Sequence, residues 1–179
     1  MCFNMGQAQV IKTVYFAGGC FWCMEESFEK NEGVLEVTSG YSGGTTENPT
    51  YKEVTYGKTG HFETVKITYD SETISYKNIL DVYWKNIDPF DAAGQFCDKG
   101  YSYRSVVFYE NNEQKNMIKQ AIKVIELKFN KKVVTYVREF SKFYDAESYH
   151  QDYYQKNFVN YLIYKNSCGR TRTLKKIWN

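Results

Sequence analysis

The 179-residue sequence is poor in the residues that build disulfide scaffolds and metal sites: it has five cysteines, two histidines and two prolines. An odd, sparse set of cysteines does not suit a disulfide-stapled fold, so we interpret them as catalytic or redox-active in a reducing compartment. No apolar run approaches the roughly 20 residues that span a bilayer. The first nine residues lack the basic start and apolar core of a secretory signal. These features predict a cytoplasmic protein that does not bind membranes.

The sequence also has little excess charge of one sign, because the formal net charge is only +2. So small a surplus argues against nucleic acid and acidic membrane surfaces as partners. Hydrophobic residues make up 42% of the chain and charged residues 25%, which is a globular composition. The length suits one domain over residues 1–179, with flexible ends at residues 1–9 and in the last few positions. We expect a monomer.

Hydrophobic periodicity predicts alternating strands and helices with connections too short for many parallel crossovers. This pattern favours an α+β fold, with helices packed on one sheet, over a doubly wound fold. Glycine- and proline-containing segments at 40–51 and 88–103 are predicted loops. From residue 144 onward the chain is predicted to be an irregular, aromatic tail with one short helix at 148–156. The other predicted strands are 10–16, 34–38, 61–69, 105–109 and 133–137, and the other predicted helices are 21–29, 75–86 and 112–129.

Cys20 and Cys23 form a C-x-x-C motif where an apolar strand, two glycines and a helix follow one another. A cysteine at a helix N-terminus meets unpaired N–H groups and the helix dipole, which favour a thiolate. The motif is compatible with a nucleophile beside an incidental neighbour, a thioredoxin-like dithiol, half of a zinc site, or a buried structural cysteine. Zinc would need two more ligands, and the remaining cysteines and histidines are scattered singly, so we predict no metal. A thioredoxin-like fold would need a cis-proline facing the dithiol, but Pro49 and Pro89 both lie in turn-rich loops.

Several motifs together resemble one family. They are Gly18-Gly19-Cys20-Phe21-Trp22-Cys23, Gly40-Tyr41-Ser42-Gly43-Gly44, Asn48-Pro49-Thr50-Tyr51, Thr59-Gly60-His61-Phe62-Glu63, the segment from Phe96 to Ser105, and Tyr149-His150-Gln151. In this order and spacing the chain resembles the A-type methionine sulfoxide reductases, the peptide-methionine (S)-S-oxide reductases. The resemblance implies a two-layer α+β sandwich with a mixed or antiparallel sheet and a ferredoxin-like core. It also implies reduction of the S epimer of methionine sulfoxide, free or in proteins.

The residues provide the chemistry that this reaction requires. A nucleophile must attack the sulfoxide sulfur while the oxygen, which gains negative charge, receives a proton. Cys20 is the predicted nucleophile and would end as a sulfenic acid. Glu63 on its own suggests a solvated strand residue, but the resemblance makes it the proton donor, with a pKa raised by burial. Tyr51 and Tyr103 suit hydrogen bonding to the sulfoxide oxygen, although each alone suggests a packing residue.

The resemblance assigns further residues to substrate binding. Asp98, which alone suggests a turn residue, would order water and bind the substrate amide. Phe21 and Trp22 would hold the substrate methyl group and also pack in the core. His150 is expected to contact the substrate in a supporting role.

A sulfenic acid on Cys20 needs a second thiol for its resolution. We predict Cys168 as this resolving cysteine, because it lies in a polar, glycine-flanked tail, and Cys23 as the second choice. Cys97 is a further candidate, with simple packing as its alternative role. We expect no bound cofactor and an external thiol reductant, either thioredoxin or, in vitro, dithiothreitol. The alternative function is a thiol-disulfide oxidoreductase or metal-binding module that uses only Cys20 and Cys23.

Overall fold

A six-stranded mixed sheet forms the centre of the computed structural model, which describes residues 9–179. Residues 1–8, which include Cys2 and nearly all of the flexible start expected at residues 1–9, lie outside the described part. The strands are β1 (Ile11–Ala17), β2 (Val34–Ser42), β3 (Phe62–Asp70), β4 (Gly94–Gln95), β5 (Asp98–Lys99), β6 (Val106–Tyr109), β7 (Tyr136–Glu139) and β8 (Phe143–Asp145). The large sheet has the order β7-β6-β1-β3-β2-β8, and β4 and β5 pair separately as a small hairpin.

The helices connect these strands and then continue into the C-terminal region. They are α1 (Phe21–Glu29), α2 (Tyr51–Tyr56), α3 (Tyr76–Lys85), α4 (Asn112–Phe129), α5 (Tyr153–Lys156), α6 (Phe158–Cys168) and α7 (Arg170–Trp178). Ser75 begins α3 by accepting a hydrogen bond from the Asn78 N–H group at 3.2 Å. Ile79 and Leu80 then point into the same buried cluster as Phe16 and Ile67 of the sheet. The apolar stripe therefore anchors this helix on the sheet.

The predicted ferredoxin-like core is confirmed. Strands β6, β1, β3 and β2 are neighbours in that order, and each adjacent pair is antiparallel. Helix α1 joins β1 to β2 and helix α3 follows β3, which gives the β-α-β-β-α-β connectivity. The added strand β7 runs parallel to β6, so the whole sheet is mixed.

The predicted loop at 40–51 is shorter than expected. Strand β2 continues to Ser42, because its last residues pair with both β3 and β8. The six-residue helix α2 was not predicted. It begins with a capping box in which Thr50 and Glu53 satisfy each other's backbone N–H groups. Local capping therefore folds a segment whose composition indicated only turns.

The prediction of an irregular tail is wrong, because α6 and α7 are regular helices that pack back on the core. Tyr161 of α6 is 1% exposed and Arg170 of α7 is 3% exposed. The Trp178 indole N–H donates to the Ile87 carbonyl at 3.1 Å, which fixes the end of α7 near the end of α3. Across residues 9–179, no helix combines the length and the apolar character needed to cross a membrane.

Candidate active site

Cys20 lies where β1 passes into α1, as the strand–glycine–helix pattern predicted. It is the N-cap residue of α1, and its side chain is 5% exposed. Gly19 before it has φ of +78°, and a Cβ atom there would lie 2.6 Å from Cβ of Gln95. Only glycine meets both conditions without strain. The turn therefore holds the Cys20 sulfur at the helix N-terminus.

Glu63 lies on the central strand β3 and is buried, with 2% exposure. Its Oε2 accepts a hydrogen bond from the Phe21 backbone N–H at 3.1 Å, one of the N–H groups left free at the start of α1. Burial raises the pKa of Glu63 to about 8, and the hydrogen bond from Phe21 only partly offsets this. The carboxyl is therefore protonated at neutral pH and can donate a proton.

Two tyrosine hydroxyl groups from separate segments meet beside this carboxyl. The Tyr51 and Tyr103 oxygens are 3.5 Å apart. Burial, followed by the nearby charge of Glu63, raises the pKa of both phenols, so both stay protonated. Glu147 fixes the start of α2, because its carboxylate accepts from the Tyr51 N–H at 2.9 Å.

Aromatic rings form one wall of the site. The His150 ring centroid lies 5.0 Å from that of Phe21 and 4.5 Å from that of Tyr51. Trp22 donates from Nε1 to His150 Nδ1 at 3.2 Å, so the proton of the neutral imidazole is on Nε2. Burial lowers the pKa of His150 and keeps the ring neutral. Its buried Nε2 has no hydrogen-bond partner within residues 9–179, and this leaves one donor available.

Cys23 is next to Cys20, and both are buried free thiols in one cluster. Burial and the hydrogen bond with Cys23 raise the pKa of Cys20 well above its usual value. The hydrogen bond from Cys20, with the charges of Arg170 and Lys165, lowers the pKa of Cys23 to about 6. In this closed site burial therefore outweighs the helix N-terminus, which was expected to favour a thiolate on Cys20. The pKa values of the two thiols also differ because the cations lie near Cys23, whereas Glu63 lies near Cys20.

The tail covers the site with residues that the sequence analysis did not identify. The Tyr164 hydroxyl donates to Asp98 Oδ2, and its ring meets Trp22 edge to face at 6.0 Å. Tyr161 packs in one cluster with Cys20 and Cys23. The i, i+3 spacing of Tyr161 and Tyr164 on a helix was the available sequence signal. It was hidden by the many other tyrosines of the tail. The predicted Asp98 is therefore in the site, already engaged by a residue of the chain.

Cys168 forms a disulfide with Cys97, which ties the end of α6 to the β4–β5 hairpin. Simple packing, the alternative role for Cys97, is wrong, because this cysteine is covalently bonded. Cys20 and Cys23 are free thiols. Cys168 as the resolving partner of Cys20 stays a prediction, and Cys23 is the cysteine that lies against Cys20.

Metal binding gains little support from the part of the chain that the structure describes. Two groups of three potential ligands occur there: Cys97, Asp98 and Cys168, and Glu25, Glu29 and Asp152. The first contains the disulfide, and neither contains Cys20 or Cys23. The chemistry of the site therefore comes from a thiol pair, a protonated carboxyl and two phenols.

Comparisons with known proteins agree with this geometry. The family described as peptide methionine sulfoxide reductase matches residues 12–179. The peptide methionine sulfoxide reductase MsrA of Listeria monocytogenes is 46% identical over 165 residues, which cover 91% of this chain and 93% of that protein. Mxr1 of Saccharomyces cerevisiae in reduced form has a TM-score of 0.76 and 30% identity, over 82% of this chain and 86% of that one. Methionine sulfoxide reductase A of Corynebacterium diphtheriae has a TM-score of 0.75 and 27% identity, over 85% of this chain and 77% of that one.

The buried carboxyl should affect stability in a pH-dependent way. Glu63 has a folded pKa of about 8 against an ordinary 4.5, so the wild type loses stability as the pH rises from 4.5 towards 8. Glu63→Gln cannot ionise and can still accept from Phe21. We expect the variant to match the wild type near pH 4 and to exceed it at pH 8 by on the order of a few kcal/mol. Urea denaturation across this range measures the difference, and the exposed Glu139→Gln is the control. A stability difference that does not change with pH would contradict the assignment.

Proposed function

The chain belongs to the peptide methionine sulfoxide reductase family, and on this premise we propose that it reduces the S epimer of methionine sulfoxide, free or in proteins, with Cys20 as nucleophile. The observation that carries the proposal is the meeting of Cys20, the buried Glu63 and the two phenols in one site. The alternative function, a dithiol or metal-binding module, would need neither the carboxyl of Glu63 nor the phenols of Tyr51 and Tyr103.

In the first step the Cys20 sulfur attacks the sulfoxide sulfur. The thiol proton of Cys20 is released as the new sulfur–sulfur bond forms. Glu63 donates its proton to the sulfoxide oxygen as negative charge builds there. The hydroxyl group then moves from the substrate sulfur to the Cys20 sulfur, and both the substrate sulfur–oxygen bond and the new sulfur–sulfur bond break. Methionine leaves, and Cys20 is left as a sulfenic acid.

The phenols and the aromatic wall orient the substrate. Tyr51 and Tyr103 donate hydrogen bonds to the oxygen, and they are most useful when it carries the most charge. Phe21 and Trp22 provide an apolar surface for the substrate methyl group. The free Nε2–H of His150 is a further donor for the substrate.

A protein substrate reaches the site only if the tail moves. Cys20 and Glu63 are 5% and 2% exposed, and Tyr164 occupies the Asp98 carboxylate. Asp98 becomes free to bind the substrate amide when α6 shifts. When α6 is packed on the site, the Tyr164 hydroxyl thus makes the hydrogen bond to Asp98 that the substrate amide would otherwise make.

We propose Cys23 as the thiol that resolves the sulfenic acid. It lies one helical turn from Cys20, whereas Cys168 is bonded to Cys97. The Cys23 sulfur attacks the Cys20 sulfur and forms a disulfide, and the hydroxyl group leaves as water after taking up a proton. An external thiol then restores both cysteines. A thioredoxin-type protein is the proposed reductant, since the yeast protein Mxr1 has been solved in complex with Trx2.

The first test of this function is epimer selectivity. With dithiothreitol as reductant, we expect turnover of the S epimer of a dabsyl-methionine sulfoxide and none of the R epimer, measured by chromatography. Cys20→Ser should abolish turnover because it removes the nucleophile. Turnover of the R epimer alone, or activity retained in Cys20→Ser, would overturn the proposal.

The second test concerns the proton donor. Glu63→Gln should slow a single turnover on the order of 10²-fold or more, as expected for loss of a general acid. In the wild type the rate should fall as the pH rises through about 8, because Glu63 then ionises. Rapid-quench measurements from pH 6 to 9.5 should show this loss in the wild type and not in the variant. An unchanged rate in Glu63→Gln would mean that the proton comes from another group.

The third test identifies the resolving cysteine. Mass spectrometry after one equivalent of substrate should find Cys20 bridged to Cys23 in the wild type and in Cys97→Ser. In Cys23→Ser the sulfenic acid should persist on Cys20. A Cys20–Cys168 bridge would instead support the sequence-based prediction.

A further inference from the structure

A cleft of about 470 Å³ extends to Cys23 and lies apart from the predicted substrate site. Its walls come from α1, from the end of α3 and from the tail helices α6 and α7. None of the residues assigned to the sulfoxide lines it. The volume is in the range of pockets that bind small molecules.

The cleft is strongly positive, although the whole chain carries only +2. Its cationic lining residues are Lys30, Lys85, Lys165, Arg170 and Lys175, and its one acidic lining residue is Glu26. Lys30 and Lys165 both pair with Glu26 and so neutralise it. Lys85 and Lys175 have no carboxylate within 4.0 Å in the described part of the chain. We call the cleft lined by Lys30, Lys85, Lys165, Arg170 and Lys175 the basic cleft.

Arg170 adds a cation that has no carboxylate within 4.0 Å among residues 9–179. Its guanidinium is buried, with 3% exposure, and it donates to the carbonyls of Gly18 at 3.3 Å and Asn86 at 2.6 Å. Carbonyl groups hold the side chain in place but leave its full positive charge. A buried cation beside Cys23 that forms no direct ion pair therefore favours an anion in the cleft.

We propose that the basic cleft binds a small thiol bearing carboxylates, such as a peptide thiol, and directs it to Cys23. The inference rests on the proposed function, because it starts from the Cys20–Cys23 disulfide that catalysis leaves. The bound thiolate attacks the Cys23 sulfur, and Cys20 leaves as a thiolate. A second thiol then attacks the mixed disulfide on Cys23, releases the oxidised small thiol and returns Cys23. Two small thiols are thereby oxidised and one protein disulfide is reduced.

Access to the two sulfurs explains the direction of attack. Cys20 packs beneath Tyr161 and Tyr164 and does not line the basic cleft, whereas Cys23 lines it beside Arg170 and Lys165. The basic cleft would thus serve a reductant of a different class from a thioredoxin-type protein.

A series of thiols of different charge tests the inference. The Cys20–Cys23 disulfide is formed with one equivalent of substrate and then treated with anionic glutathione, neutral 2-mercaptoethanol or cationic cysteamine. Rapid quench and mass spectrometry follow its loss, and rates are divided by the thiolate concentration of each reagent. We expect glutathione to react about tenfold or more faster than 2-mercaptoethanol, cysteamine to be slowest, and 0.5 M salt (roughly a 4 Å screening length) to reduce the differences. The transient glutathione adduct should be on Cys23.

Charge reversal provides the matched control. In Lys85→Glu/Lys175→Glu the ratio of glutathione to 2-mercaptoethanol rates should fall towards one. The same change in net charge on α4, Lys119→Glu/Lys123→Glu, should leave the ratio unchanged. Equal rates for the three thiols, an adduct on Cys20, or an effect of equal size in both double variants would overturn the inference. Failure of the proposed function is distinct, because then dithiothreitol supports no S-epimer reduction or no Cys20–Cys23 bridge forms.

Discussion

The hydrogen bond from the Phe21 N–H to the buried Glu63 carboxyl is the contact on which the site depends. It joins the first turn of α1, and so the Cys20 nucleophile, to the centre of the sheet. A protonated carboxyl is acceptable in this apolar position only because the helix start offers a donor there. The same burial that makes Glu63 costly for stability makes it an acid at neutral pH. Fold and reactivity are therefore set by one interaction.

The tail completes this environment. Without α6, Cys20 would be open to solvent on the side that Tyr161 and Tyr164 now cover. With it, burial raises the pKa of Cys20, whereas the charge of Arg170 helps to lower the pKa of Cys23. The two sulfurs consequently belong to different surroundings: one acidic and aromatic, suited to a sulfoxide, and one basic, suited to an anionic thiol.

The parts of the site that follow from short-range sequence patterns could be predicted. A strand, two glycines and a helix start place Cys20, and the alternation around Glu63 places it on a strand. Helix α2 was missed because six residues stabilised by the Thr50–Glu53 capping box lie within a turn-rich segment. The tail helices were missed because many aromatic and polar residues obscure their buried faces. The Cys97–Cys168 pairing spans 71 residues, and no local pattern specifies such a contact.

That span also has a consequence in terms of chain entropy. A covalent link across 71 residues makes the α6 end and the β4–β5 hairpin neighbours even in an unfolded chain. In the loop-closure picture such a link contributes on the order of 4 kcal/mol, which is a large share of the net stability of an ordinary domain. In the protein with this disulfide, helix α6 therefore stays packed over the active site at little cost in chain entropy. The reduced protein must hold the same helix by side-chain packing and hydrogen bonds alone.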